Sequence, residues 1–220
     1  MKNIIKKSYI ILIWLLSVNL FGVTTENHRP LPDGYDPFRS MELISFDNID
    51  RDNQIFLTDF ESGIDGWSTT TFSGEDLWNA TSLTSHSPEN SLWYGLESQQ
   101  NYDTGDAVNS YIKTDIDLTS TVPGNEVVLS FWESYDTETG WDFCMVDVST
   151  DNGDNWNSLR GGYGDAPSGN SGGWVESQLS LDEFSGQNIQ LRFYFDTGDG
   201  LYNNFSGWFI DDVSVISVDV

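Results

Sequence analysis

The chain has 220 residues, 14% of them aromatic, with 35 acidic against 9 basic residues and a formal net charge of -26. So acidic a protein excludes nucleic acid and anionic membranes as partners, because neutralising phosphates takes clustered lysine and arginine. A single cysteine, Cys144, excludes an intrachain disulfide; two histidines, His28 and His86, exclude a zinc site built from several histidines, and no HExxH occurs.

Residues 1–23, MKNIIKKSYIILIWLLSVNLFGV, place lysines before a short apolar run, the form of a secretory signal peptide. The alternative is an uncleaved N-terminal anchor. No later stretch approaches the apolar length of a membrane span, so the expectation is export to the extracellular space or cell surface, without membrane insertion once the leader is removed. After the leader, 6 basic residues face 35 acids, a balance of -29. Such a charge suits divalent cations, and it also suits solubility in a salty exterior.

Residues 24–53 are polar and punctuated by Pro30, Pro32 and Pro37, which reads as an exposed arm, linker or propeptide. From residue 54 the pattern changes to short runs of β-branched and aromatic residues separated by Gly, Asn, Asp and Ser. Strands are predicted at 55–60, 66–72, 91–97, 107–116, 126–136, 142–150, 174–181, 188–197 and 207–218. Helical periodicity is nowhere sustained. The expected fold for 54–220 is all-β, a two-sheet antiparallel jelly-roll sandwich.

Four local features stand out. FCMVDV holds Cys144 among apolar neighbours, as a buried core residue. STDNGDNW (149–156) has Asp-box spacing: Asp151, Asn152 and Gly153 suit a tight turn under which Trp156 packs. GWFIDDVSV (207–215) sets adjacent carboxylates, Asp211 and Asp212, inside an apolar strand, where alternation sends neighbours to opposite faces. If the first and last strands adjoin, Asp59 and Glu61 of DFESG approach that pair. Converging carboxylates repel unless a cation or donors answer them, and calcium takes six to eight oxygens. The competing arrangement has one aspartate capping backbone amides and the other in solvent. A second acidic stretch, WESYDTETGWD (132–142), adds Glu138 and Asp142 as possible ion ligands, or as solvated turn residues.

The succession DFESGIDGW, LWNATSLTSHSPENSLWYG, NYDTG, LSFWESYDTETGWDFCMVDVSTDNGDNW, LSLDEFSGQNIQLRFYFDT and GWFIDDVSV resembles the MAM-like jelly-roll domain of immune inhibitor A-type secreted metalloproteases. More distantly it resembles the cleaved-adhesin domains of gingipain-like proteases. The resemblance spans about residues 55–218 and implies a secreted, non-catalytic sandwich. It also implies structural calcium held by Asp59, Glu61, Asp211 and Asp212, with Glu138 and Asp142 at further acidic positions. In those proteases the domain is an appendage to a catalytic domain, which does not precede it in this sequence.

Function is therefore expected to be binding or adhesion, with an extracellular glycan or protein as partner. Trp67, Trp93, Trp132 and Trp208 fit the apolar strand patterns and are expected in the core. Trp141, Tyr163, Trp174 and Tyr202 lie in or beside loops and are the candidate ligand contacts. Two alternatives remain: an accessory domain partnering a separate secreted protease or surface assembly, and a jelly-roll glycoside hydrolase using Glu133 and Asp136. The ExDxxE pattern of sandwich glycosidases is absent.

Overall fold

The computed structural model describes residues 54–218; the expected leader (1–23) and arm (24–53) lie outside them. Eleven strands follow one another: β1 (Gln54–Thr58), β2 (Ser68–Ser73), β3 (Trp78–Thr81), β4 (Ser91–Tyr94), β5 (Asn109–Asp117), β6 (Glu126–Asp136), β7 (Asp142–Ser149), β8 (Asn157–Ser158), β9 (Val175–Ser180), β10 (Asn188–Thr197) and β11 (Gly207–Val218). A 3-10 turn, Asp182–Phe184, joins β9 to β10.

The strands form two antiparallel sheets. One has the order β3-β4-β11-β6-β9, with β1 added beside β11; the other runs β2-β5-β10-β7-β8. The expected adjacency of first and last strands is present: β1 pairs with the second half of β11, and β4 with its first half. Two strands escape the sequence pattern. β3 has only four residues and β8 two, too few for a period of two to declare itself.

Alternation explains why the sandwich closes. Along β10, Ile189, Leu191, Phe193 and Phe195 are buried while Gln190, Arg192, Tyr194 and Asp196 stay on the outer side. The inward residues of both sheets form one core, in which Phe193 meets Trp67, Phe131 and Trp208 at ring distances of 5.6, 5.2 and 5.6 Å. Cys144 belongs to this core, as expected, and burial pushes its thiol well above the ordinary range.

Of the four tryptophans assigned to the core by sequence, Trp208 is in it and Trp67 lies against it; Trp93 is fully buried but on the outer side of its sheet, between the inward Leu92 and Tyr94 and stacked on Phe209 at 5.3 Å. Trp132 also points outward and is only half-buried. Phe131 takes the inward position on β6, so its neighbour must point out.

Glu133 follows the inward parity. Its carboxylate accepts from Arg160 Nη1 at 2.6 Å, Arg160 Nη2 at 3.1 Å, Trp208 Nε1 at 2.8 Å and Ser177 Oγ. The guanidinium is spent in turn on the carbonyl of Cys144. A buried carboxylate so fully matched is part of the frame, and losing one partner of such a pair costs about 3 to 5 kcal/mol.

A candidate binding groove on the outer face of the six-stranded sheet

The adjacent aspartates of GWFIDDVSV are explained by a bulge. Asp211 pairs with Trp132 across β6, yet the next pair is Ser214 with Ser130, so β11 carries one extra residue. Asp212 supplies it, with a left-handed φ of 49° that aspartate tolerates better than most residues. The bulge suspends alternation. Ile210 and Val213 both face the core, and both carboxylates are left on the outer side.

There they fasten the loop that joins β3 to β4. Asp211 Oδ2 accepts the backbone N–H groups of His86 and Ser87 at 2.8 and 2.9 Å, and Asp211 Oδ1 accepts the N–H of Asp212 at 2.8 Å. Burial raises the Asp211 carboxyl above its ordinary value, while these three amides pull it back. Asp212 Oδ2 lies 2.6 Å from His86 Nδ1. Glu61 Oε1 accepts the N–H of Asn90 at 2.9 Å, and Trp174 Nε1 donates to Thr84 Oγ1 at 3.3 Å. Asp59 is more local: its Oδ1 accepts the N–H of Glu61.

Glu61, Asp211 and Asp212 thus meet on one loop, as the pairing of first and last strands led one to expect, and Asp211 caps amides. Among the described residues no three side chains of His, Cys, Asp or Glu come together as a group able to hold a metal ion.

Glu138 and Asp142, the other expected ligands, lie in a turn that is buried and not solvated, at 5% and 1% exposure. Asp142 Oδ2 accepts from the Tyr102 hydroxyl and from the Glu138 N–H. Burial first, and the neighbouring Asp142 charge second, raise the Tyr102 phenol well above its ordinary range.

Beside the fastened loop, the outer face of this sheet opens into a groove of about 510 Å³, within the range of roughly 300 to 1,000 Å³ typical of ligand sites. Its described lining includes Trp132, Glu176, Gln178, Ser130, Asp212 and Leu57. Register accounts for the grouping: Glu176 pairs with Trp132, and Gln178 and Ser214 with Ser130. His86 forms a flat stack with Trp132, 3.8 Å between centroids and 8° between planes, and Trp174 stands edge-on to His86 at 6.2 Å.

Hydrogen bonding within the groove is incomplete. Glu176 Oε1 accepts from Ser130 Oγ at 2.9 Å and Gln178 Nε2 at 3.2 Å. Gln178 Oε1, a buried atom, has no donor, at a cost of about 1 to 3 kcal/mol for a buried acceptor left unmatched.

Of the four aromatic residues expected to contact a ligand, only Trp174 is near this groove, behind His86. Trp141 and Tyr163 close over Gly198, where an added Cβ would come 3.2 and 2.8 Å from them, and Tyr163 also packs on Phe143 at 4.7 Å. Tyr202 lies on the β10–β11 loop, 46% exposed. Trp132, Glu176, Gln178 and His86 were not among the expected ligand contacts. The alternation of VESQLS carried a signal for Glu176 and Gln178; Trp132 sits in a run that is apolar at both parities, and the place of His86 depends on the bulge.

The nominal hydrolase pair is taken apart by parity. Glu133 points into the core and is wholly engaged, whereas Asp136, three residues on, accepts from Asn170 Nδ2 at the surface.

No protein-family model matches the chain, and no curated protein does. Among solved structures, a xylan-binding family 22 carbohydrate-binding module from Paenibacillus barcinonensis is similar at 15% identity, covering 76% of this chain and 96% of its own, with a TM-score of 0.48. The K1 cleaved-adhesin domain of Lys-gingipain from Porphyromonas gingivalis W83 gives 18% identity, 73% and 96% coverage and a TM-score of 0.48. The C-terminal family 22 carbohydrate-binding module from Clostridium thermocellum gives 15%, 77% and 98%, with a TM-score of 0.45. At TM-scores below 0.5 none of these likenesses says what this chain binds.

Proposed function

We propose that residues 54–218 form a non-catalytic module that binds an extracellular glycan in the groove beside Trp132. The observation that carries this reading is the groove itself: a cavity of about 510 Å³ with an indole between two carboxylates and polar groups along an apolar floor. A sugar ring offers a C–H face for an aromatic wall and hydroxyls for polar partners, so it needs both kinds of surface at once. The full engagement of Glu133 supports a binding role over hydrolysis.

On this reading residues 1–23 direct export and 24–53 serve as an arm. Calcium enters the proposal as an addition to the hydrogen-bonded staple. Glu61 and Asp212 each accept at one carboxylate oxygen, and an ion between them would draw its remaining oxygens from carbonyls or water. Thermal unfolding in EDTA and then in millimolar Ca²⁺ separates the cases. A site with Kd near 10 μM would add roughly 2.7 kcal/mol at a hundredfold excess of ion; an unmoved midpoint leaves the amides as the whole staple.

The test of glycan binding is affinity electrophoresis through gels cast with soluble polysaccharides, for the wild-type protein and Trp132→Ala. Retardation of the wild type by a polysaccharide that leaves the variant unretarded is expected. Equal mobility of the two in every gel overturns the assignment of the groove.

A further inference from the structure

We infer that the groove takes a glycan bearing protonated amino groups, an oligomer of deacetylated amino sugar, in preference to a neutral or acidic one; this rests on the glycan-binding reading above. The described lining holds two carboxylates, Glu176 and Asp212, and no lysine or arginine. Glu176 on β9 and Asp212 on β11 flank β6, so they stand on either side of Trp132, their backbones roughly 10 Å apart by strand spacing.

The basic residues of the sandwich are committed elsewhere. Only Lys113, Arg160 and Arg192 occur among the described residues. Arg160 closes on Glu133 inside, Arg192 on Asp147, and Lys113 donates to Gln190. The last two stand on the outer face of the other sheet. A uronate or sulfate would find no counter-charge in the described lining and would meet two like charges.

The polar groups lean the same way. Among the described residues Glu176 accepts two donors at Oε1 and none at Oε2. An ammonium group brings three donors and no acceptor, which matches a carboxylate oxygen left open. His86 displays the recognition within the protein: a ring laid flat on Trp132 with its nitrogen 2.6 Å from the Asp212 carboxylate. A pyranose with an ammonium substituent can repeat that pairing along the groove, toward Glu176.

Isothermal titration at physiological salt tests this with three soluble tetramers: glucosamine, N-acetylglucosamine and xylose. The glucosamine tetramer is expected to bind about tenfold tighter than the other two, a margin of about 1.4 kcal/mol. Glu176→Gln is expected to erase the margin, while Asp115→Asn, an exposed change on the opposite sheet, leaves it intact. Equal affinity for the acetylated tetramer overturns the inference and leaves glycan binding standing. Equal loss in both variants also overturns it, because long-range charge would then account for the preference. Failure of all three tetramers to bind, in a protein that some other polysaccharide retards in the gel, overturns the inference alone; absence of binding to every glycan in both assays removes the reading beneath it.

Discussion

The two outer faces of this sandwich are made from similar side chains and end differently. On the five-stranded sheet, Tyr111, Tyr194, Arg192, Asp147 and Trp156 satisfy one another. Arg192 lies 4.1 Å from the Trp156 ring centroid, 4.5 Å from Tyr194 and 4.9 Å from Tyr111, and its Nε and Nη2 both reach Asp147 Oδ2 at 2.8 Å. Only 11% of its side chain is exposed. On the six-stranded sheet, Trp132, Glu176, Gln178 and Asp212 keep a groove open between them. The difference comes from the loops. The hairpin after β7 turns at Asn152 and Gly153, both with positive φ, and Asp151 accepts the Asn155 N–H, so that Trp156 folds back over the sheet. The loop after β3 is pinned by Asp211 and lays His86 on Trp132, and the groove stays open beside it toward Glu176 and Gln178. A second depression, about 420 Å³ at the foot of the five-stranded sheet, has no aromatic residue in its described lining. Aromatic and charged residues on an outer face are therefore structural where a hairpin closes over them, and available where it does not.

Substitutions can break this contrast. Arg192→Ala has the largest expected effect on stability: it leaves the Asp147 carboxylate, 7% exposed, without its cation, for a loss of about 3 kcal/mol. Urea unfolding reads it, and glycan retardation should persist. Trp156→Ala removes the cation–π lid and should cost about 2 kcal/mol, again without loss of binding.

Asp211→Asn should cost about 1 to 2 kcal/mol by weakening the two amide bonds that hold the loop, and it carries a pH signature. Burial raises the carboxyl from its ordinary 3.8, so the folded state binds this proton more readily than the unfolded state. The stability contributed by that linkage is fully present below the unfolded value and declines as pH rises through the folded one. The gap between wild type and Asp211→Asn should accordingly narrow from pH about 3 upward, measured as urea midpoints; a gap that widens over this range contradicts the assigned direction. Trp132→Ala should change stability least, by about 1 kcal/mol or less for a half-buried surface ring, yet abolish retention by glycan.

Much of this frame was legible in the sequence, because period-two runs bounded by turn residues are a local signal. Nine of the strands, the neighbouring termini of the sandwich, the buried Cys144 and the Asp-box turn all follow from short stretches read alone. Trp132 was not legible: EVVLSFWES carries apolar residues at both parities, Val127 beside Val128 and Phe131 beside Trp132, so the pattern does not say which face is core. The staple was half legible. Consecutive aspartates in a strand announce an irregularity, but that Asp211 would bind the amides of His86 and Ser87, more than 120 residues earlier, is decided by how β4 and β1 share one edge of β11. Of the two readings of Glu138 and Asp142, ion ligands or a solvated turn, burial removes the second, and it was not legible because their partner Tyr102 is likewise remote in sequence.

The most direct test of the contrast between the faces is to follow the indole N–H signals by NMR while titrating soluble oligosaccharides. The account predicts that the signals of Trp132 and Trp174 move with a binding glycan while that of Trp156 stays in place. Movement of Trp156 with Trp132 unchanged would contradict it, and would put the binding surface on the five-stranded sheet.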